Sequence, residues 1–450
     1  MPLKKDSLSL SSSAISYLAG LVRIPGDKSI SHRSLMLPAL ASGTSIISGL
    51  LEGEDVLATA AAMRLMGAEI EKLDSGDWRV KGVGLGHLKS PDQTLEMGNS
   101  GTSTRLLMGL VASHPIRATF DGDASLRKRP MSRVSDPLRD IGAKIESSSG
   151  EKLPLTITGC ENPKPLDYTP PMASAQVKSA ILFAGLNTDG TTIVREKTST
   201  RDHSERMLMA LGADIEVEQG DDGSRVITLT GKTPLKATDI TVPGDISSAA
   251  FPLVAAAMTA GSDITLVGVG LNPLRTGIID ALKALGADIT VDNMHEAGGE
   301  PVGDIRVKGS KLRGIDGLEV EPSTMIDEFP VFFCAAAIAK GTTRLTGLHE
   351  LRVKESDRLA VMAQGLRANG VEVEEFEDGL IITGCGDSQG NGKVPGGATV
   401  ETHLDHRIAM SFLVLGMMAE KPIALDDARA FHTSFPTFVE LMNGLGGDIK

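Results

Sequence analysis

The sequence predicts an α/β protein of two domains, built from six βαβαββ repeats, three per domain, with helices inside and sheets outside. Its 450 residues exceed what one hydrophobic core usually organises. A short sequence motif that is typical of a helix end followed by a strand recurs six times along the chain. Segments such as 251–258 and 331–338 are apolar on nearly every side, so as helices they must be buried among other helices.

Six glycines mark the repeat, and consecutive ones stand 70 to 84 residues apart. Each glycine follows a segment whose apolar residues recur at helical spacing, and it begins a short motif such as GAEI or GADI that leads into a strand. Glycine after a last helical turn adopts the left-handed conformation that ends a helix. An ordinary helix-to-strand junction of any α/β protein is the alternative, and the near-equal spacing argues against it. The glycines are Gly67, Gly142, Gly212, Gly286, Gly370 and Gly446.

The two halves of the chain contain similar strand-to-helix corners, each with the motif Pro-Gly-Asp. IPGDKSISHRS at 24–34 and VPGDISSAAFP at 242–252 share a Pro-Gly-Asp frame, and their prolines are 218 residues apart. That distance is three repeats, or half of the molecule. The first corner carries Lys28 and Arg33, which the second lacks. We infer that duplication kept the backbone frame twice and the ligand contacts once.

Composition excludes several classes of function. The net charge is -13 and aromatic residues make up 3% of the chain, so the molecule should repel nucleic acid and anionic lipid. The three cysteines are far apart, which predicts a reduced, cytoplasmic protein without disulfides. The Ser-rich start, residues 1–20, is interpreted as a mobile tail, with a transit peptide as the weaker alternative. No segment is long and apolar enough to predict a membrane span.

Polar residues concentrate where the first helix of each repeat is expected to begin. Helix N-termini bind anions through unpaired N–H groups and the helix dipole. GDKS is not a Walker loop because Asp27 precedes the lysine, and Gly82–Leu88 has the wrong spacing for a dinucleotide loop. The histidines show no zinc pattern, and we predict no metal. His403 and His406 are placed on one helix face.

Basic segments precede the second helices. They include RKRPMSR at 127–133, TRDHSE at 200–205 and RVKESDR at 352–358. Guanidinium groups bind phosphate and carboxylate in a bidentate manner, so several together would hold a doubly anionic ligand. The alternative is a solvated charged surface, and for RKRPMSR both interpretations stay open.

Seven motifs in order resemble one family, 5-enolpyruvylshikimate-3-phosphate synthase, and within it the bacterial class II branch. The resemblance covers about Val22 to Ile449. The motifs are PGDKSISHRS, GNSGTSTRL, KRPM, PMASAQVKSA, IDEFP, LRVKESDRL and LDHRIAM. The resemblance implies the two-domain inverse α/β prism. It also implies enolpyruvyl transfer from phosphoenolpyruvate to the 5-hydroxyl of shikimate 3-phosphate, with release of phosphate and no cofactor.

The same resemblance implies the domain boundaries and the substrate sites. Residues 1–24 and 244–450 would form one domain and 25–243 an inserted one, with the active site in the interdomain cleft. Apart from the resemblance, we predict a monomer. The residues implied for shikimate 3-phosphate are Lys28, Ser29, Arg33, Ser174, Ala175, Gln176, Arg201, Asp327 and Lys354. The residues implied for phosphoenolpyruvate are Lys28, Gly101, Arg129, Gln176, Arg358 and Arg407.

Three catalytic residues are implied as well. Asp327 would take the proton of the 5-hydroxyl, Glu355 would serve the methylene carbon, and Lys28 would neutralise the leaving phosphate. The structural alternative makes Asp327 and Glu355 helix N-caps. Two other functions stay open: a UDP-sugar enolpyruvyl transferase, whose loop cysteine is missing near 113–127, and a non-catalytic phosphometabolite-binding protein.

Two positions bear on inhibitor and substrate binding. Other branches of the family carry a lysine where Thr433 stands, and class II members do not. Some herbicide-tolerant class II members have alanine at the position of Gly101. The resemblance therefore implies that this chain is a glyphosate target with room for the inhibitor beside Arg129.

Overall fold

The computed structural model describes residues 7–147, 150–388 and 390–450, and it has the predicted α/β architecture. Two compact units are present. One comprises the described parts of Met1–Pro25, Pro243–His295 and Pro301–Lys450, and the other comprises those of Gly26–Val242 and Glu296–Glu300. Each unit has its own hydrophobic core. None of the helices within the described ranges is long and apolar enough to cross a membrane.

The helices and strands alternate along the chain as the repeat predicts. The helices are α1 (Lys28–Leu40), α2 (Glu54–Leu65), α3 (Gly101–Ala112), α4 (Ser132–Ile141), α5 (Ala175–Leu186), α6 (His203–Ala210), α7 (Ile246–Met258), α8 (Gly277–Ala284), α9 (Phe329–Ile338), α10 (Arg358–Ala368), α11 (His406–Gly416) and α12 (Phe438–Gly444). The strands are β1 (Ser11–Ser12), β2 (Ala19–Arg23), β3 (Ser42–Ser48), β4 (Glu69–Lys72), β5 (Trp78–Val83), β6 (Leu95–Glu96), β7 (Arg117–Asp121), β8 (Lys144–Ser147), β9 (Leu155–Thr158), β10 (Asp167–Tyr168), β11 (Thr191–Glu196), β12 (Asp214–Gln219), β13 (Arg225–Thr230), β14 (Ile240–Thr241), β15 (Asp263–Gly270), β16 (Asp288–Ala297), β17 (Glu300–Lys308), β18 (Thr342–Leu345), β19 (Glu372–Phe376), β20 (Gly379–Thr383), β21 (Val394–Gly396), β22 (Thr399–Val400), β23 (Ala419–Lys421) and β24 (Ile423–Leu425).

Four sheets share one strand order. They are β14-β3-β5-β4, β6-β7-β9-β8, β10-β11-β13-β12 and β2-β15-β17-β16. The first two strands of each are parallel. Parallel neighbours need a crossover, and in the second and third repeats α3 and α5 provide it. Two further sheets, β18-β20-β19 and β1-β24-β22, have three strands each, and β21 and β23 form a two-stranded sheet.

The strand before each Pro-Gly-Asp corner joins a sheet far along the chain. Ile240 in β14 pairs with Ile47 in β3. Gly20 in β2 pairs with Ile264 in β15. Each of these strands is therefore separated in sequence from the repeat whose sheet it completes.

The interpretation of residues 1–20 as a mobile tail is wrong for the part that the structure describes. Ser11 in β1 pairs with Ala424 in β24, its amide donates to the carbonyl of Lys450 at 2.7 Å, and Leu18 is fully buried. A few apolar residues anchor this Ser-rich segment. In the last sheet, β1 occupies the position that a strand later in the repeat occupies in the other sheets. Residues 1–6 of the predicted tail lie outside the described residues.

The first helices of the repeats form the cores, as their apolar sequences predicted. In one unit α7, α9 and α11 pack against one another, and every residue of α7 and α9 is buried. In the other, α3 packs on α5 and α1. All six marker glycines have φ between 80° and 119°, which confirms that they end helices.

Candidate active site

The Pro-Gly-Asp corners have the same local structure in both halves. Asp27 caps α1 by accepting from the amide of Ile30 at 2.9 Å, and Asp245 caps α7 by accepting from that of Ser247 at 2.8 Å. A Cβ on Gly26 would lie 2.0 Å from the carbonyl oxygen of Gly49, so no side chain fits there. The backbone conformation of the Pro-Gly-Asp segment thus positions the N-terminus of the helix that follows.

Lys28 and Arg33 project from the first turns of α1. Lys28 Nζ lies 3.1 Å from Asp55 Oδ2, and the Lys28 side chain is 22% exposed. The Arg33 guanidinium is buried and donates to Ser204 Oγ, Ser29 O and Ser179 Oγ at 2.8–2.9 Å. These bonds use three of its N–H donors and leave others for a ligand.

The charge of Arg33 persists at neutral pH despite its burial. Burial lowers its pKa to about 10, while the charges of Glu205 and Asp27 act in the opposite direction. The positive charge of Arg201 also contributes to lowering this pKa, so the two cations lie in one neighbourhood. Their joint presence favours an anion.

The N-terminus of α5 lies beside that of α3. Ser174 caps α5, and Ala175 and Gln176 form its first turn. Gln176 Oε1 accepts from Arg105 Nη1 at 2.7 Å, and Gln176 Nε2 donates to Thr102 Oγ1 at 3.0 Å. Gln176 therefore connects the starts of the two helices.

Two guanidinium groups lie close to Gly101, the first residue of α3. A Cβ on Gly101 would be 2.8 Å from Arg105 Nη1 and 3.2 Å from Arg129 Nη1. Arg129 Nη2 donates to Asn99 Oδ1 at 2.8 Å. The helix dipole and both side chains thus concentrate positive charge at this point. No role is predicted for Arg105 from the sequence, although its i+4 spacing from Gly101 places it on the same side of the helix.

Both interpretations of the segment RKRPMSR, anion binding and a solvated charged surface, apply to part of it. Arg127 is exposed and donates to Asp121 Oδ1 at 2.7 Å, and Lys128 and Arg133 are exposed as well. Arg129 alone among the four cations reaches the start of α3. The surface interpretation is therefore right for three of them.

In the other unit a buried arginine binds three carboxylates. Arg358, 1% exposed, places Nη1 3.1 Å from Asp327 Oδ1, Nη2 2.7 Å from Glu355 Oε2 and Nε 2.9 Å from Asp405 Oδ2. Burial acts to lower the pKa of Arg358, but the charges of Asp405, Glu355 and Asp327 raise it above its ordinary value. The arginine stays charged and joins Asp327 to Glu355. Lys354 Nζ is 3.8 Å from Asp327 Oδ1.

The N-cap interpretations of Asp327 and Glu355 are wrong. Glu328 occupies the cap position of α9, and Asp357 caps α10 by accepting from the amide of Ala360 at 3.1 Å. The side chains of Asp327 and Glu355 bind the Arg358 guanidinium instead.

Arg407 lies at the start of α11, where Asp405 is the cap. Arg407 Nη1 donates to the carbonyl of Ser247 at 3.1 Å and is 3.9 Å from Glu328 Oε1. The Ser247 hydroxyl in turn donates to Glu328 and accepts from Arg275 Nη2 at 2.6 Å. These partners come from distant motifs, and sequence reasoning did not connect them.

The remaining predictions concern the two histidines near α11, Thr433 and metal binding. His403 precedes α11 with a φ of 52°, so it does not share a helix face with His406, because the helix begins only at His406. The Thr433 hydroxyl donates to the carbonyl of Ala430 at 2.7 Å. Within the described ranges, no three His, Cys, Asp or Glu side chains are grouped so as to hold a metal ion.

Known proteins match the chain along nearly its whole length. The model of the family EPSP synthase (3-phosphoshikimate 1-carboxyvinyltransferase) matches residues 13–442. The 3-phosphoshikimate 1-carboxyvinyltransferase of Parvibaculum lavamentivorans is 56% identical over 99% of this chain and 98% of its own. That of Sphingopyxis alaskensis is 58% identical over 95% of this chain and 96% of its own. The solved EPSP synthase of Acinetobacter baumannii has a TM-score of 0.88, 48% identity, and coverage of 98% of this chain and 99% of its own.

These matches confirm the resemblance that the seven motifs carried. They also confirm the two-domain α/β fold of six repeats, since the solved structure covers both units. The UDP-sugar transferase and the non-catalytic binding protein are therefore set aside, while the class II assignment stays a prediction. From the family model and these relatives, the chain belongs to the EPSP synthase family of 3-phosphoshikimate 1-carboxyvinyltransferases.

Proposed function

We propose that the side chains described above form the site at which this enzyme transfers the enolpyruvyl group of phosphoenolpyruvate to the 5-hydroxyl of shikimate 3-phosphate. The observation that carries the assignment is the buried Arg358, which holds Asp327 and Glu355 within hydrogen-bond distance. The proposal requires residues of the domains 25–243 and 1–24 with 244–450 to act on one substrate pair. The cleft that they would share stays a prediction.

Shikimate 3-phosphate is assigned to the starts of α1 and α5. Its phosphate and carboxylate suit the cations and helix N-termini there. Arg33 supports this assignment because it keeps N–H donors beyond those bound to protein. The assigned residues are Lys28, Ser29, Arg33, Ser174, Ala175, Gln176 and Arg201, with Asp327 and Lys354 from the other domain.

Phosphoenolpyruvate is assigned to the start of α3 and to the arginines of α10 and α11. The lack of a side chain at Gly101 leaves the amide end of α3 open beside Arg129. The assigned residues are Lys28, Gly101, Arg129, Gln176, Arg358 and Arg407. The two arginines of α10 and α11 suit the carboxylate and phosphate of this substrate.

The proposed chemistry moves two protons. Glu355 protonates the methylene carbon, which leaves a cationic centre at the neighbouring carbon. Asp327 takes the proton of the 5-hydroxyl as its oxygen forms a bond to that centre. The tetrahedral adduct then returns a methyl proton to Glu355 and expels phosphate, whose charge Lys28 offsets. Because Glu355 must carry a proton before it donates, its 2.7 Å contact with Arg358 has to loosen when the substrates bind.

The test is phosphate release from the two substrates by three variants. Asp327→Ala and Glu355→Ala should each lower kcat by about a hundredfold or more, the usual effect of losing a general acid or base. Lys28→Met should lower kcat by about as much, because the charge of the leaving phosphate is no longer offset. Lys81→Met removes an exposed lysine of the same unit and should keep the full rate. Near-normal turnover by Asp327→Ala and Glu355→Ala would refute their roles.

The remaining expectations concern the molecule in the cell. We propose a cytoplasmic monomer that binds neither nucleic acid nor membranes. The three unpaired cysteines suit a reducing compartment, and the net charge of -13 opposes binding to polyanions. Sedimentation of the purified protein tests the monomeric state.

A further inference from the structure

A group of buried charges lies behind the proposed shikimate 3-phosphate site and takes no part in the proposed chemistry. Lys178 stands in the apolar helix α5 and is fully buried. Its Nζ is 2.9 Å from Glu196 Oε2 and 2.8 Å from Glu205 Oε1, and it donates to the carbonyl of Thr200 at 3.3 Å. Buried ion pairs contribute little net stability compared with apolar side chains. Stability alone therefore gives a weak reason for a lysine here.

The sequence neighbours of this group hold Arg33. Ser179 follows Lys178, and Ser204 precedes Glu205. The two hydroxyls accept from Arg33 Nη2 and Nε at 2.9 and 2.8 Å, and they hydrogen bond to each other at 2.7 Å. The group thus joins α1, α5 and α6 at the point where their polar side chains meet.

Glu205 pairs with one cation and interacts electrostatically with another. Its Oε1 forms an ion pair with Lys178 Nζ at 2.8 Å, and neither of its two buried oxygens accepts a hydrogen bond from the part of the chain that the structure describes. Among the neighbouring charges, Glu205 contributes most to raising the pKa of Arg33. A buried carboxylate without enough donors is destabilised unless a cation compensates it, and Arg33 is a nearby cation, since its Nε donates to the adjacent Ser204 at 2.8 Å.

We propose that Lys178 is a positioning residue. By holding Glu205, it keeps the Arg33 guanidinium available to an anionic substrate, where otherwise the carboxylate would neutralise it. The inference rests on the proposed function, in which Arg33 binds shikimate 3-phosphate. Lys178 is buried and touches no substrate, yet by this inference it controls the affinity for shikimate 3-phosphate.

The experiment compares Lys178→Met with Lys178→Met/Glu205→Gln. In the single variant Glu205 is released to Arg33, so both the KM and the calorimetric Kd for shikimate 3-phosphate should rise by about tenfold, the loss of one charge-assisted hydrogen bond. The kcat and the KM for phosphoenolpyruvate should stay within about twofold of wild type. In the double variant residue 205 carries no charge that could compete for Arg33, so the affinity should return to near the wild-type value.

Leu182→Ala is the matched control, since it removes a buried side chain one turn further along α5 without changing charge. It should lower the melting temperature and leave the affinity for shikimate 3-phosphate unchanged. If Lys178→Met fails to fold, Glu205→Gln alone still decides the matter, because it removes the competitor and should bind the substrate at least as tightly as wild type. Weaker binding by Glu205→Gln would overturn the inference.

Two negative results are distinguishable. A wild-type protein that does not bind shikimate 3-phosphate refutes the proposed function itself. A wild type that binds it, with unchanged affinity in Lys178→Met or no recovery in the double variant, refutes only the role of Lys178.

Discussion

Gly101 shows how one missing methyl group shapes the proposed phosphoenolpyruvate site. The space that its Cβ would take is bordered by the side-chain nitrogens of Arg105 and Arg129 at 2.8 and 3.2 Å. Both are ends of flexible side chains, so alanine is accommodated only if the guanidinium groups shift. Any ligand held by them would then lose contacts or space.

Gly101→Ala should therefore weaken inhibition by glyphosate. We expect the inhibition constant to rise by about tenfold, equivalent to one lost charge-assisted hydrogen bond, and the KM for phosphoenolpyruvate to rise less. Inhibition kinetics check this, with Gly444→Ala as control, because a Cβ there meets nothing within 4 Å. An unchanged inhibition constant in Gly101→Ala would remove the steric argument.

Arg358 is the residue on which the arrangement of Asp327, Glu355 and Asp405 depends. Lysine carries the same charge but cannot direct planar pairs of donors to three carboxylates. Arg358→Lys should lower the free energy of unfolding by roughly 3 kcal/mol and reduce kcat. Urea unfolding and phosphate release measure the two effects. Arg367→Lys, an exposed change on the same helix, should alter neither.

The sequence predicted residue identities better than residue contacts. The motifs pointed to Asp327, Glu355 and Arg358, but only the fold shows that one guanidinium binds both acids. Lys178 escaped notice because a single lysine in an apolar helix carries no pattern, and its partners lie 18 and 27 residues away in sequence. Contacts between separate elements depend on how helices pack, which spacing does not encode.

At the scale of elements, periodicity predicted helices well and short strands poorly. The six glycine-ended helices follow directly from the conformational freedom of glycine. Strands of two residues, such as β1 and β14, have no periodicity to detect. The sequence therefore predicted the repeat correctly but missed the segment that completes the last sheet.

Disrupting β1 should destabilise the unit to which it belongs. Ser11→Pro removes the amide that donates to Lys450 at 2.7 Å and leaves that carbonyl without this donor. We expect the free energy of unfolding to fall by about 2 kcal/mol. Urea denaturation measures this, and Ser7→Pro, four residues earlier at an exposed position outside any strand, is the control. Equal stability of both variants would show that the docked segment contributes nothing.

At the scale of the whole molecule, buried histidines make stability depend on pH. Burial lowers the pKa of His114 to about 4 and lowers that of His32 well below its ordinary value. The unfolded chain takes up these protons below about pH 6.5, and the folded chain does not. The free energy of unfolding must therefore fall as the pH decreases.

By pH 5 the loss should reach about 2 kcal/mol per histidine. Urea unfolding between pH 7.5 and 5 measures it. His114→Leu should remove its share of the pH dependence, whereas His349→Gln, at an exposed position, should not. A wild-type stability that is flat across this range would contradict the burial of the neutral imidazoles.

The pairing of Ser11 with Lys450 has a consequence for protein engineering. Two backbone hydrogen bonds, at 2.7 and 2.9 Å, join these residues near opposite ends of the sequence. A short flexible linker would bridge them, so the polypeptide can be rewired into a circular permutant whose new termini open at an exposed turn such as 221–223.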